Sequence, residues 1–193
     1  MELYVFTGGP GFGKSSLILE LEFRNEYVIR EGAEDHIRRM QAKGISQPWL
    51  MESFQADILA LQEKREARMH PKAQRYWLDR GGPDGLAYQQ KNGKPAFPEL
   101  VNSIKNCNFT GIFLIQSLGT IERADYRRED LEEAILLENL QRQNYTDMGY
   151  NVINVGPGSV DERVNFILQT VKDAKAGKLS FVMSNASPYI SAH

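Results

Sequence analysis

Apolar residues along this chain fall into two rhythms, short continuous runs and helical stripes, and the two alternate from the first residues onward. Residues 3–6 form an apolar run that predicts a buried strand, and after a glycine-rich turn Leu17 and Leu21 share one helical face. Residues 27–29 predict a second strand, followed by a helix through Ile37 and Met40 that stops at Gly44. Pro48 suits a first helical turn, so a long helix is expected from there to about Met69, with Phe54, Ile58 and Leu61 on its inner side and His70-Pro71 ending it. Residues 76–78 predict a third strand. Helical pieces broken at Gly93 and Pro95 fill the stretch from Pro83 to about Asn108.

Residues 111–115 are apolar without interruption after their glycine, as a strand covered on both faces requires. A helix is expected from Glu129 to about Met148, with Ala134, Leu137 and Leu140 in register and Gly149 as a left-handed cap. Residues 151–155 predict the fifth strand. Ser159 and Glu162 have the spacing of a capping box, and Val160, Val164, Ile167, Leu168 and Val171 then mark one apolar stripe. Strands alternating with helices predict an α/β fold, a parallel sheet covered on both sides, with ligands gathered beyond the strand C-termini.

The first turn adds chemistry to this pattern. Residues 8–15 satisfy G-x-x-x-x-G-K-[ST] at every required position and lie between a predicted strand and a predicted helix. Glycines let successive backbone N–H groups turn inward around phosphate oxygens, and the helix start adds partial positive charge. Gly9, Gly11, Phe12, Gly13, Lys14, Ser15 and Ser16 are therefore expected to hold a nucleotide, ATP or alternatively GTP. Lys14 supplies a mobile charge for the terminal phosphates, and Ser15 is placed to ligate Mg²⁺. The fold expected is the P-loop NTPase three-layer sandwich with five parallel strands.

Two acids end predicted strands on the same edge of that sheet. Asp79 is expected near the magnesium, as a ligand through water or as a base toward an attacking hydroxyl. Glu31 is expected to contact a substrate hydroxyl or a metal-bound water. Asp79-Arg80-Gly81-Gly82 also fits the D-x-x-G of GTPases, but no N-K-x-D string accompanies it. Residues 119–128 form a polar connection with three arginines, the composition of a lid that closes over a transferring phosphoryl group, and Arg123 and Arg127 are the expected catalytic pair. Arg142 and Arg163 are weaker candidates, and for the loop Gly156-Pro157-Gly158 beside Arg163 packing and adenine contact are both open.

Composition narrows the partners. A net charge of −2 from 23 basic and 25 acidic residues gives no extended surface for nucleic acid. Cys107 is the one cysteine, and His36, His70 and His193 stand far apart, so neither a disulfide framework nor a histidine metal site is expected. No stretch reaches membrane-spanning length, and a cytoplasmic location is expected. One unit over residues 1–175 is expected, with 176–193 as a tail whose residues 181–183 are open between an edge strand, a cover for the cleft and self-association.

The phosphate loop, Glu31-Gly32-Ala33, Leu78-Asp79-Arg80-Gly81 with Asp84 and Tyr88, Asp125-Tyr126-Arg127, and Tyr145 through Gly149-Tyr150 to residues 160–163 together resemble the AAA-like P-loop ATPase/kinase family. That group is similar to the nicotinamide-riboside-kinase domain and to nucleoside and nucleotide kinases. The resemblance implies a core in which Lys14 and Ser15 bind nucleotide and Mg²⁺, Asp79 works at the reaction centre and residues 123–128 form the lid; on the kinase reading Glu31, Arg80, Asp84 and Tyr88 are expected to face a small-molecule acceptor. Glu34 departs from it, standing where such proteins often carry an arginine. Two activities stay open, a small-molecule kinase and a nucleotide-dependent ATPase or switch.

Overall fold

The structure, a computed structural model, describes residues 1–119 and 129–183. Five strands, β1 (Glu2–Thr7), β2 (Val28–Ile29), β3 (Arg75–Asp79), β4 (Gly111–Ile115) and β5 (Val152–Val155), form one sheet in the order β2-β3-β1-β4-β5. Every pairing is parallel. The order switches at β1, from which the chain goes first to β2 and β3 on one side and later to β4 and β5 on the other. A crevice opens at such a switch beyond the strand C-termini, and the phosphate loop leaves β1 into it.

Alternation along β1 builds two cores. Tyr4 and Phe6 point to one face with Trp77 and Phe113, where α1 (Lys14–Phe23) and α7 (Val160–Lys175) cover them through Leu17, Leu21, Ile167 and Val171. Val5 points to the other face with Leu78 and Ile112, under Tyr145 of α6 (Leu131–Asp147) and the rings of Phe109 and Tyr150. The three layers expected from the alternation are present.

Three helical expectations are corrected. The helix expected from Pro48 to Met69 is two elements, a 3-10 turn over Pro48–Leu50 and α3 (Phe54–Glu66), because Met51 is extended at ψ 138° and breaks the ladder between them. Phe54, Ile58 and Leu61 do not enter the core; only Leu59 and Gln62 of α3 are buried. In α6 the buried stripe is Ala134, Leu137, Gln141, Asn144 and Tyr145, so two amides and a phenol replace the expected Leu140. Its start is fixed by Asp130, whose carboxylate accepts from the Glu133 N–H at 2.9 Å. The glycine expected to cap it, Gly149, is left-handed at φ 88°.

The remaining helices, α2 (Ala33–Gln41), α4 (Gly82–Lys91) and α5 (Pro98–Asn106), surround the cleft. Val160, the first residue of α7, is 38% exposed and drops out of the expected stripe. Of the roles left open for residues 181–183, edge pairing is present: Val182 bridges Tyr150 antiparallel, and the Asn151 N–H donates to Phe181 O at 2.8 Å. Phe181 is buried against Tyr4 and Phe113, so this part of the tail completes the core. Among the described residues no helix is long and apolar enough to cross a membrane.

Candidate functional site

Helix α1 begins at Lys14, so the N–H groups of Lys14, Ser15 and Ser16 have no intrahelical acceptor and face the loop that precedes them. That loop depends on glycine. Gly8, Gly11 and Gly13 hold φ of 127°, 83° and 88°, and a Cβ on Gly9 would lie 2.5 Å from Ala134 O and 2.6 Å from the Phe12 ring. Phe12 itself sends its fully buried ring into the core beneath the loop, so only its backbone is available for the nucleotide contact expected of it. Gly9 likewise packs against α6, whereas Gly11, Gly13, Lys14, Ser15 and Ser16 line the cleft.

Two buried polar side chains absent from the sequence reading, or weakly weighed there, brace this loop. Gln141 of α6, fully buried, accepts from the Gly8 N–H at 3.1 Å. Arg163 of α7 donates to Phe12 O at 3.1 Å and to Gln116 O at 3.2 Å, tying the loop to the end of β4. Sequence carried no signal for either beyond a polar residue on an otherwise apolar helical face.

Lys14 is 4% exposed, and its ammonium donates to the carbonyls of Gly8 and Gly9 at 2.8 Å each. Burial, followed by the nearby Arg80 charge, pulls its pKa down to about 8. Ser15 Oγ donates to Asp79 Oδ2 at 2.9 Å, which joins the helix start to the end of β3. Asp79 is 2% exposed, and burial, then the Glu31 charge, pushes its carboxyl up to about 6. Its other oxygen, Oδ1, is buried with no hydrogen-bond partner. An orphaned carboxylate oxygen beside a hydroxyl is a donor set that fits Mg²⁺, which takes one or two protein oxygens and keeps its waters. Among the described residues no group of three or more His, Cys, Asp or Glu side chains is assembled for a metal.

Arg80 follows Asp79 with φ 78°, a left-handed conformation unusual for a non-glycine residue, and so turns its side chain back across the cleft floor. Its Nε donates to Glu31 Oε1 at 2.7 Å, and its guanidinium lies 5.5 Å over the Tyr88 ring. The acceptor contact expected of Asp84 has no free oxygen behind it. Asp84 is 2% exposed; Oδ1 accepts from Thr7 Oγ1 at 2.8 Å and Arg80 Nη1 at 3.3 Å, and Oδ2 from Tyr145 OH at 2.7 Å and Gly81 N at 3.1 Å. Four donors saturate a carboxylate, so Asp84 locks β1, α4 and α6 around the site.

Lys14, Ser15, Glu31, Asp79, Arg80, Asp84 and Tyr88 all line one cleft of about 630 Å³. Arg123 and Arg127, expected to act as a lid, lie outside the described residues. The apolar face of α3 that failed to join the core is found here: Phe54 and Ile58 form a cleft wall with Trp49 and Phe97.

Parallel strands, a switch-point cleft and a glycine loop closed by Lys14 and Ser15 define a P-loop nucleotide-binding protein with the fold of the P-loop kinases. The family model described as an AAA domain matches residues 3–163, and the chain belongs to that family. No curated protein sequence matches it significantly. Among solved structures, the deoxyadenosine kinase of M. mycoides with products dCMP and a flexible dCDP is similar with a TM-score of 0.63 at 13% identity, over 89% of this chain and 99% of that one. NadR protein in complex with NR has a TM-score of 0.65 at 12% identity, over 100% of this chain and 52% of NadR. Thymidylate kinase of Candida albicans has a TM-score of 0.58 at 12% identity, over 90% of this chain and 92% of its own. At these identities the likeness is one of fold.

Proposed function

We propose that this protein is an ATP- and Mg²⁺-dependent small-molecule kinase that transfers the terminal phosphate of ATP to a hydroxyl-bearing acceptor. The observation that carries this reading is the shared cleft: the phosphate loop and an aromatic-walled chamber open into one space, with Glu31, Asp79 and Arg80 between them. A protein that only binds or hydrolyses a nucleotide has no need of a second chamber beside the terminal phosphate.

The loop amides and Lys14 hold the phosphates, with the Lys14 ammonium leaving the Gly8 and Gly9 carbonyls to meet them. Ser15 and Asp79 would hold the magnesium, which supplies charge neutralisation and orientation of the terminal phosphates. Glu31 accepts the hydrogen bond of the acceptor hydroxyl and receives its proton as the oxygen attacks. Arg80, anchored by Glu31 and Asp84, fixes that carboxylate in place. Most of the rate gain in such a transfer comes from positioning and charge stabilisation, and Arg123 and Arg127 are proposed for the latter.

The test is ADP formation from ATP and Mg²⁺ across nucleosides, nucleotides, ribosides and sugars. Acceptor-dependent ADP is the expected result. ADP that forms at the same rate with and without every acceptor would identify an ATPase instead, and no ADP at all would identify a binding module.

A further inference from the structure

The part of the cleft built by α2, the 3-10 turn, α3 and the start of α5 has a chemistry that discriminates among acceptors. Its wall is apolar and partly aromatic, formed by Ile37, Trp49, Phe54, Ile58, Phe97 and Leu100. Gln55 and Gln62 also line it; seven residues apart, they lie on one face of α3. Aromatic and branched side chains cover a flat apolar ring, and amides bond the polar edge of a heterocycle.

Its charge is as specific as its shape. Six carboxylates, Glu31, Glu34, Asp79, Asp84, Glu129 and Glu133, line the cleft against three cations among the described residues. Each cation is already committed: Lys14 to the phosphate loop, Arg80 to Glu31 and Asp84, and Lys91 to Glu133 at 2.8 Å. Glu34 sits in the first turn of α2, three residues beyond Glu31 and on the chamber side. Among the described residues it pairs with Arg38 at 2.6 Å, whose side chain is 68% exposed, so solvent weakens that compensation. A phosphomonoester entering this chamber meets carboxylates and no uncommitted cation among the described residues.

The geometry points to an acceptor that carries a flat heterocyclic ring and a hydroxyl but no phosphate, of the nucleoside class, with Glu34 as the residue that turns phosphorylated analogues away. This rests on the kinase reading and narrows it. A negative chamber rejects a dianion by repulsion, which gives specificity that added attraction for the neutral compound would not. The reaction balances simply: the acceptor hydroxyl loses its proton to Glu31, its oxygen bonds the γ-phosphorus, the bond from that phosphorus to the bridging oxygen breaks, and ADP leaves.

The experiment compares matched pairs, each nucleoside against its own 5′-monophosphate, by kcat/KM for ADP formation in the wild type and in Glu34→Arg and Glu34→Gln. The wild type is expected to use nucleosides and to discriminate against the monophosphates. Glu34→Arg should raise the monophosphate-to-nucleoside ratio by about ten-fold or more, with Glu34→Gln between the two. A wild type that prefers monophosphates overturns the proposal and leaves the kinase reading standing; absence of acceptor-dependent ADP with either member of every pair overturns both. A ratio unchanged in Glu34→Arg overturns the part assigned to Glu34. Melting curves of both variants with ATP confirm that the fold and the nucleotide site are intact.

Discussion

Arg163 Nη1 donates to the carbonyl oxygen of Phe12 at 3.1 Å, and this single contact fixes the peptide that precedes Gly13 at the mouth of the phosphate loop. A guanidinium on that oxygen holds the peptide with its N–H toward the nucleotide side. Arg163→Met should therefore raise the KM for ATP by about ten-fold, the equivalent of one charge-assisted hydrogen bond, with kcat changed much less. Arg163→Lys should recover part of the loss. Steady-state kinetics in ATP at saturating acceptor reads this out, and a fall in kcat without a change in KM would mean that Arg163 acts on the reaction itself.

Asp79 predicts a trade between stability and catalysis. Because burial and then Glu31 raise its pKa from 3.8 to about 6, the folded chain holds this proton more tightly than the unfolded one. Its contribution to stability therefore falls as pH rises from about 4 to about 6 and stays low above that. Without metal or nucleotide, Asp79→Asn should melt above the wild type at about pH 7.5, with the gap closing toward about pH 4. Millimolar Mg²⁺ should stabilise the wild type and not the variant, while kcat drops by about a hundred-fold or more with the KM for ATP nearly unchanged. Melting curves in chelator and in Mg²⁺ test the first two statements separately from activity.

Gly9 and Gly44 separate steric need from backbone freedom. A methyl group on Gly9 collides with Ala134 O at 2.5 Å, whereas Gly44, at φ 88°, has nothing within 4 Å. Gly9→Ala should abolish ATP-induced thermal protection and lower the melting temperature. Gly44→Ala should cost only about 1 kcal/mol, from its left-handed backbone, and leave ATP protection intact.

Asp84 should behave as a strut. Asp84→Asn removes a buried carboxylate from four donors and should destabilise by about 3 kcal/mol in urea unfolding, and Tyr145→Phe, which deletes one of those donors, by about 1 kcal/mol. An Asp84→Asn chain that unfolds at the wild-type urea concentration but loses acceptor binding would restore the substrate contact first expected of it.

The strands were legible because each carries a short apolar run, and the acids at their ends follow from a parallel sheet whose C-terminal edge is the ligand edge. The phosphate loop was legible because its glycines, lysine and serine are local. The contacts of Gln141, Arg163, Thr7 and Tyr145 were not, since each acts across 61 to 151 residues and the side chain looks in sequence like any polar or aromatic position on a helix or strand. Phe54 and Ile58 show a different limit: helical periodicity marks an apolar face but cannot say whether that face meets a core or a cavity. Mixed Gln55 and Gln62 beside them were the available hint.

Phe181 extends the core beyond the last helix. Its ring lies against Gly111, where an added Cβ would come within 2.7 Å of it, and Phe181→Ala should cost about 3 to 5 kcal/mol in urea unfolding. A chain cut after residue 176 should show a similar loss, and a cut chain as stable as the whole would remove Phe181 from the core.

The central position of β1 has a bearing on biosynthesis. β1 emerges from the ribosome before either of its neighbours, and must wait for residues 75–79 and then 111–115 before both its edges are paired. The ring that seals its Tyr4 side comes later still, at residue 181. Until residues 75–79 have been made the nascent chain therefore carries an unpaired apolar strand, the kind of segment that molecular chaperones shield.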